Sequence, residues 1–158
     1  MKLDTKSNKH LNRQLKNELT AINQYYLHAK MYKNWGFNAL YAHEYKESLD
    51  EMRHADEIIE RILLLEGLPN VQEMKKMMIG ENVPECLASD LKLEQAARED
   101  LVDSISYFES VKDYGSREMF DKLLVETEEH IDYLETQLEL IDKVGLQNYL
   151  QTQMGQAE

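Results

Sequence analysis

Helix-breaking residues are scarce in this chain and confined to a few places. Of 158 residues, six are glycine and two are proline. Gly36, Gly67, Gly80, Gly115, Gly145 and Gly155 leave glycine-free runs at 1–35, 37–66, 81–114 and 116–144, and Pro69 and Pro84 fall beside the gaps between them. A β-sandwich needs a turn signal every ~8–12 residues. Runs of about thirty residues without one exclude it, together with collagen and an extended disordered tail.

Periodicity identifies what fills the runs. Leu11, Leu15, Ile22, Tyr25 and Ala29, with Leu19 and Tyr26 alongside, recur at steps of three and four, as do Ile58, Ile62 and Leu65 with Ile59 and Leu63. Leu87, Leu91, Leu101, Ile105 and Phe108 line the third run, and Phe120, Leu123, Leu134 and Ile141 the fourth. Each pattern is that of an amphipathic helix, and thirty residues at ~1.5 Å each make a rod of about 45 Å. Asn82-Val83-Pro84-Glu85 reads as a capping box with proline in the first turn. Ser116 is a candidate cap for the fourth helix, and Gly145 suits a left-handed stop. The short links around Trp35-Gly36 and Gly115 make two antiparallel hairpins, whereas residues 67–82 are long enough to run the height of a bundle. The expectation is an all-α, ferritin-like four-helix bundle, one domain over 1–158, with a short fifth helix from Leu146 to Met154.

Thirty acidic against 18 basic residues give a net charge of −12, which argues against nucleic acid or an anionic membrane as partner and suits cations. Cys86 is the single cysteine, and residues 1–8 have no apolar signal core. No apolar stretch approaches the ~20 residues of a membrane span, so a reducing, cytoplasmic setting is expected.

The informative polar residues are those that interrupt apolar stripes. Glu18 lies between Leu15 and Ile22, Glu94 between Leu91 and Leu101, Glu51 and His54 precede Ile58, and His130 precedes Leu134. Buried carboxylates cost several kcal/mol unless compensated, and several converging in one bundle call for a cation. Glu18 and Glu94 are 76 residues apart, as are His54 and His130, so the hairpins present them in equivalent places. A di-iron carboxylate bundle takes one Glu from each of two helices and Glu-x-x-His from each of the others. Five of these six positions are filled; the sixth is Thr127. Glu126, at i−4 from His130, has two readings: a solvated residue, or a substitute ligand on a slightly rotated helix. Met52 faces about 100° away from Glu51, where a methionine ordinarily packs or fills an interface. His10, His28 and His43 show no partnered spacing and read as surface or interface residues.

The segments Asn17-Glu18-Leu19, Ala21-Ile22-Asn23-Gln24-Tyr25, Asn34-Trp35-Gly36 and Ser48 to Asp56 resemble the bacterioferritins, and the resemblance continues through Ile58–Leu63, Glu66–Asn70, His130-Ile131-Asp132 and Gly145–Gln151. It implies iron storage and detoxification in a hollow shell of 24 subunits that oxidises Fe(II) with O₂ or peroxide. It further implies a di-iron centre at Glu18, Glu51, His54, Glu94 and His130, and a b-type haem held by Met52 from each of two subunits, which passes electrons for iron release from a ferredoxin-type donor. Two departures stand out: Thr127 replaces a bridging glutamate, and Lys46 stands where some members carry histidine. Some bacteria build mixed shells, so this chain is a candidate haem-bearing subunit that relies on a second subunit type for fast ferroxidase activity. The alternatives are a di-iron oxygenase on the same bundle, a rubrerythrin-like peroxidase, whose Cys-x-x-Cys iron site a single cysteine cannot supply, and a metal-free structural bundle.

Overall fold

The computed structural model describes residues 1, 2 and 5–155; Leu3 and Asp4, part of the N-terminal stretch read above for a signal sequence, and residues 156–158 lie outside the described residues. Five helices follow in order: α1 (Thr5–Trp35), α2 (Asn38–Leu64), α3 (Val83–Ser110), α4 (Tyr114–Val144) and α5 (Leu146–Thr152), with no strand among the described residues. The boundaries fall within a few residues of the glycine-delimited runs. α1 packs along α2 and α3 along α4; the two hairpins meet chiefly through α1 and α3, and α5 lies against α4. This is the expected bundle of two hairpins and a crossover.

The ends of the helices follow local chemistry, with two corrections. Asn82 caps α3 by accepting from the Glu85 N–H, and its own amide donates to the Glu85 carboxylate. The cap of α4 is Asp113 rather than Ser116: its carboxylate accepts from the Ser116 N–H at 3.1 Å and from Arg61 at 2.7 Å. The turn between α3 and α4 therefore lies before Gly115, at residues 111–113, where Lys112 has φ +61°. Gly115 sits in the first turn of α4 because the Arg61 guanidinium packs where a Cβ would be, at 2.6 Å. Gly145 ends α4 with φ +86° and ψ 150°, which is an extended, glycine-favouring conformation and not the left-handed helical stop expected. Within α5 Tyr149 is buried, and its hydroxyl donates to Gln137 at 2.7 Å.

The crossover is held along α1 by side chains spaced every four residues, which form one ridge of a helix. Asn12 bonds the backbone of Leu68 and Asn70, Thr20 accepts from the Lys75 N–H, Gln24 from the Met78 N–H and His28 from the Gly80 N–H. Lys16, on the same ridge, reaches Glu73. The extended backbone thus finds partners without a sheet. At its end Gly80 passes so close to α3 that a Cβ would lie 2.4 Å from the Cys86 nitrogen.

Apolar packing is concentrated at the two ends of the bundle. Leu11, Leu15, Ile58, Ile62, Leu101, Phe108, Phe120 and Leu123 belong to one cluster, and Tyr32, Leu40, Leu87, Leu134 and Tyr149 to another. Between them Glu18, His54, Glu94 and His130 are buried, so the core has a polar waist. The inward stripe of α2 changes character there, carrying Glu44, Ser48 and His54 before Ala55, Ile58 and Ile62.

The Asp113 cap generates a stability prediction. Asp113→Ala removes an N-cap and leaves Arg61, 15% exposed, without its carboxylate, an expected loss of roughly 2–4 kcal/mol in chemical denaturation. Glu118→Ala, at the exposed Lys122 pair, serves as control and is expected to change stability by less than about 0.5 kcal/mol. Equal small effects would contradict the role given to Asp113.

Candidate metal centre

Two of the buried histidines, His54 and His130, each turn Nδ1 towards two carboxylates. His54 Nδ1 lies 3.5 Å from Glu18 Oε2 and 3.7 Å from Glu51 Oε2. His130 Nδ1 lies 3.1 Å from Glu94 Oε1 and 3.7 Å from Glu47 Oε2. Donor atoms of Glu18, Glu51 and His54 all fall within 4.8 Å of one another, a spacing compatible with a single cation. The five residues singled out from the sequence therefore meet at the waist, in two half-sites, one per histidine.

Electrostatics ties the halves together. Burial disfavours charge on His54, but hydrogen bonding to Glu18 and Glu51 outweighs it and pushes its pKa up to about 11. Burial likewise opposes charge on His130, and Glu94, Glu47 and Glu51 push it up to about 9. Burial and the neighbouring Glu18 raise the Glu51 carboxyl well above the carboxylate range. The Glu94 carboxyl is also raised, chiefly by burial, with Glu51 adding to it against the lowering influence of His130. Glu51 thus acts on both histidines and on Glu94, and is itself raised by Glu18, as a carboxylate between the two halves would be.

Further partners orient these groups. Gln14 donates to Glu18 Oε1 at 2.8 Å, and the buried Tyr25 hydroxyl donates to Glu94 Oε1. Glu126 reaches His54 Nε2, on the far side of the ring from the carboxylate pair, and also meets Arg53. Its side chain is 42% exposed. In this structure Glu126 thus contacts the outer nitrogen of His54 rather than the His130 half, and His54 Nδ1 is directed inward, the carboxylate–histidine arrangement that orients metal ligands. Thr127 is half-buried and brings no carboxylate. Beside the site opens a cavity of about 400 Å³, lined by Glu47, Asp50, Glu51, His54, Glu126, Glu129 and His130 among others. Lys46 pairs with Asp50 at 2.9 Å on its wall.

Met52 lies about 100° around α2 from Glu51 and is 55% exposed. Exposed Leu49 and half-exposed Tyr45 share its stripe, and Tyr26 packs against Tyr45.

Three histidines need correction or refinement. His28 is fully buried, not a surface residue. Its Nε2 accepts from the Gly80 N–H at 3.1 Å, which places the proton on Nδ1, where it is donated to Asp90 at 2.8 Å. Gln24 donates to the same Asp90 oxygen, and Glu44, its carboxyl raised well above the usual range by burial and by Asp90, completes the cluster. His28, Glu44 and Asp90 have ligand atoms within 4.8 Å, but both imidazole nitrogens are engaged, so the group fastens the crossover to α1 and α3. His43 is half-buried and stacks on Tyr133 with centroids 3.6 Å apart; burial and the neighbouring His130 lower its pKa to about 4. His10 is half-buried, bonded to Ser104 and stacked on Tyr107. Cys86 is buried, and burial pushes its thiol up to about 12, so it is a core residue without nucleophilic character.

Sequence reasoning missed Glu47, Tyr25 as a donor, and the partner of Glu126. The signal for Glu47 was available: it precedes Glu51 by four residues and His54 by seven, on the same inward stripe. Tyr25 was hidden because an inward tyrosine is indistinguishable from core by periodicity.

Comparison with known proteins agrees with this geometry. The ferritin-like domain matches residues 8–144. A bacterioferritin of Mycobacterium tuberculosis (strain CDC 1551 / Oshkosh) is 51% identical over 139 residues, 88% of this chain and 87% of its own length. One from Streptomyces coelicolor is 45% identical over 148 residues, 94% and 89% of the two chains. One from Brucella melitensis is 43% identical over 158 residues, 100% of this chain and 98% of its own. With a helical bundle, a waist of buried carboxylates and histidines, and identity of this extent, the chain belongs to the bacterioferritins, the iron-storing branch of the ferritin-like family.

Proposed function

We propose that this chain is a subunit of a 24-subunit shell that takes up Fe(II) at the waist of its bundle, oxidises it and stores the ferric product inside. The observation that carries the reading is that His54 and His130, both buried, each face two carboxylates in a core that is apolar at both ends. Fe(II) is a divalent cation of intermediate softness, suited to mixed imidazole and carboxylate ligation. Glu18 and His54 hold one ion, Glu94 and His130 the other, and Glu51 lies between. Glu126 keeps His54 turned inward, and the Tyr25 hydroxyl fixes the Glu94 oxygen. Two ferrous ions side by side deliver the two electrons that reduce dioxygen to peroxide, or peroxide to water, without releasing a one-electron oxygen radical.

Charge sets the limit on this chemistry. Two Fe(II) bring +4, against which Glu18, Glu51 and Glu94 supply three negative charges, and Thr127 supplies none where the resemblance places a bridging glutamate. The homopolymer oxidises iron slowly on this reading, and efficient turnover comes from a second subunit type with a complete centre.

The surroundings of Met52 fit a haem. Met52 is exposed on a stripe with Leu49 and Tyr45, so Met52 from two copies meeting there would hold a haem among apolar side chains. Such a haem would supply electron transfer for iron release, with a ferredoxin-type protein as the donor.

Three outcomes are expected. Thr127→Glu speeds initial O₂-dependent Fe(II) oxidation by the pure protein roughly tenfold or more, the usual scale for a ligand-shell change; a native homopolymer already showing a fast two-iron phase would contradict the reading. Met52→Leu abolishes the Soret band of the purified protein, and an unchanged band would place the haem elsewhere. Because the raised pKa values, about 11 for His54 and about 9 for His130, keep both imidazoles protonated at pH 7, each must lose a proton to ligate. Metal binding then releases protons and weakens as pH falls. Calorimetric titration in buffers of different ionisation enthalpy measures this, and buffer-independent heats would count against ligation by these histidines.

A further inference from the structure

We infer that Glu47 supplies the carboxylate that position 127 lacks, as a ligand to the ion at the His130 half of the centre. The inference rests on the two-ion reading above. Two atoms each about 2.1 Å from one ion stand roughly 3.0–3.6 Å apart at angles of 90–120°. His54 Nδ1 stands 3.5 and 3.7 Å from its two carboxylates, and His130 Nδ1 stands 3.1 and 3.7 Å from Glu94 and Glu47. The two half-sites are thus alike in atoms although unlike in sequence position.

The pseudo-twofold relation makes the substitution visible. Residues 76 positions after Glu44, Glu47 and Glu51 are Phe120, Leu123 and Thr127. All three equivalent positions on α4 are without charge, while all three on α2 carry a carboxylate. Glu44 stands with His28 and Asp90 in the buried cluster at the end of the crossover. Glu47 instead faces His130 and, across one turn, the half-buried His43. The set is wider than the Glu18–Glu51–His54 group, but Glu47 stands on the wall of the 400 Å³ cavity with 19% of its side chain exposed, and so has room to turn towards Glu94. A ligand from one turn earlier on α2 serves one ion and does not span two. The second ion is therefore retained while the bridge from position 127 is lost, which predicts binding without rapid oxidation.

Anaerobic optical titration of the intact protein with Co(II) separates these possibilities, because Co(II) in a closed carboxylate–imidazole site absorbs far more strongly than hydrated ion at the surface. Two strongly absorbing Co(II) per subunit are expected for the native protein, one for Glu47→Gln, and two again for Glu47→Gln combined with Thr127→Glu. Glu128→Gln, at the exposed Arg98 pair, is expected to keep two. A native stoichiometry of one, or Glu47→Gln retaining two, overturns the assignment to Glu47. A double variant that stays at one overturns it also, since the loss would then be structural. No strongly absorbing Co(II) in the native protein would instead overturn the two-ion reading itself.

Discussion

Carboxylates do not enter a protein core without a countercharge, and this bundle is organised around that cost. Glu18, Glu51 and Glu94 sit at mid-height between two apolar clusters. An isolated buried carboxylate costs several kcal/mol, so imidazolium or metal must accompany them. His54 and His130 are placed to serve either way, as cations themselves or, once deprotonated, as ligands. The competition between proton and metal for the same oxygens is the chemistry of the site. The apolar ends make this possible, because they supply the packing that holds four rods in register while the waist gives up its share of hydrophobic burial.

The rest of the fold serves that arrangement. The crossover runs along a polar ridge of α1, and its last residues are fastened by His28 to a second buried acid cluster on α3. That cluster meets the same electrostatic cost differently: burial and Asp90 push the Glu44 carboxyl well up, towards its neutral form. One stripe of α2 thus carries three glutamates with three roles, a structural acid at 44, a cavity-wall carboxylate at 47 and a shared carboxylate at 51. Met52, next in sequence, turns about 100° away around the helix and is exposed. A single helix separates iron chemistry inside from the surface proposed to bind haem outside.

Much of this was legible in the amino-acid order. Glycine and proline placement marked every rod, because long helices tolerate neither in their interior, and repetition at 76 residues paired the ligand positions across the hairpins. What escaped the sequence was what depends on rotamer and on the partner helix. Glu126 has one spacing relative to His130, yet its side chain turns to His54 on another helix. His28 has no partner within its own helix and finds Gly80 and Asp90 only after folding. Asp113 outcompetes Ser116 as a cap because Arg61, distant in sequence, fixes its carboxylate.

The central claim is that the waist of the bundle holds two ferrous ions, one at each histidine. Anomalous diffraction at the iron edge, from crystals loaded anaerobically with Fe(II), tests it most directly. Two peaks per subunit are predicted, one among Glu18, Glu51 and His54 and one among Glu94, His130 and Glu47. Iron density confined to surface carboxylates, with both histidines still paired to their glutamates, would contradict it.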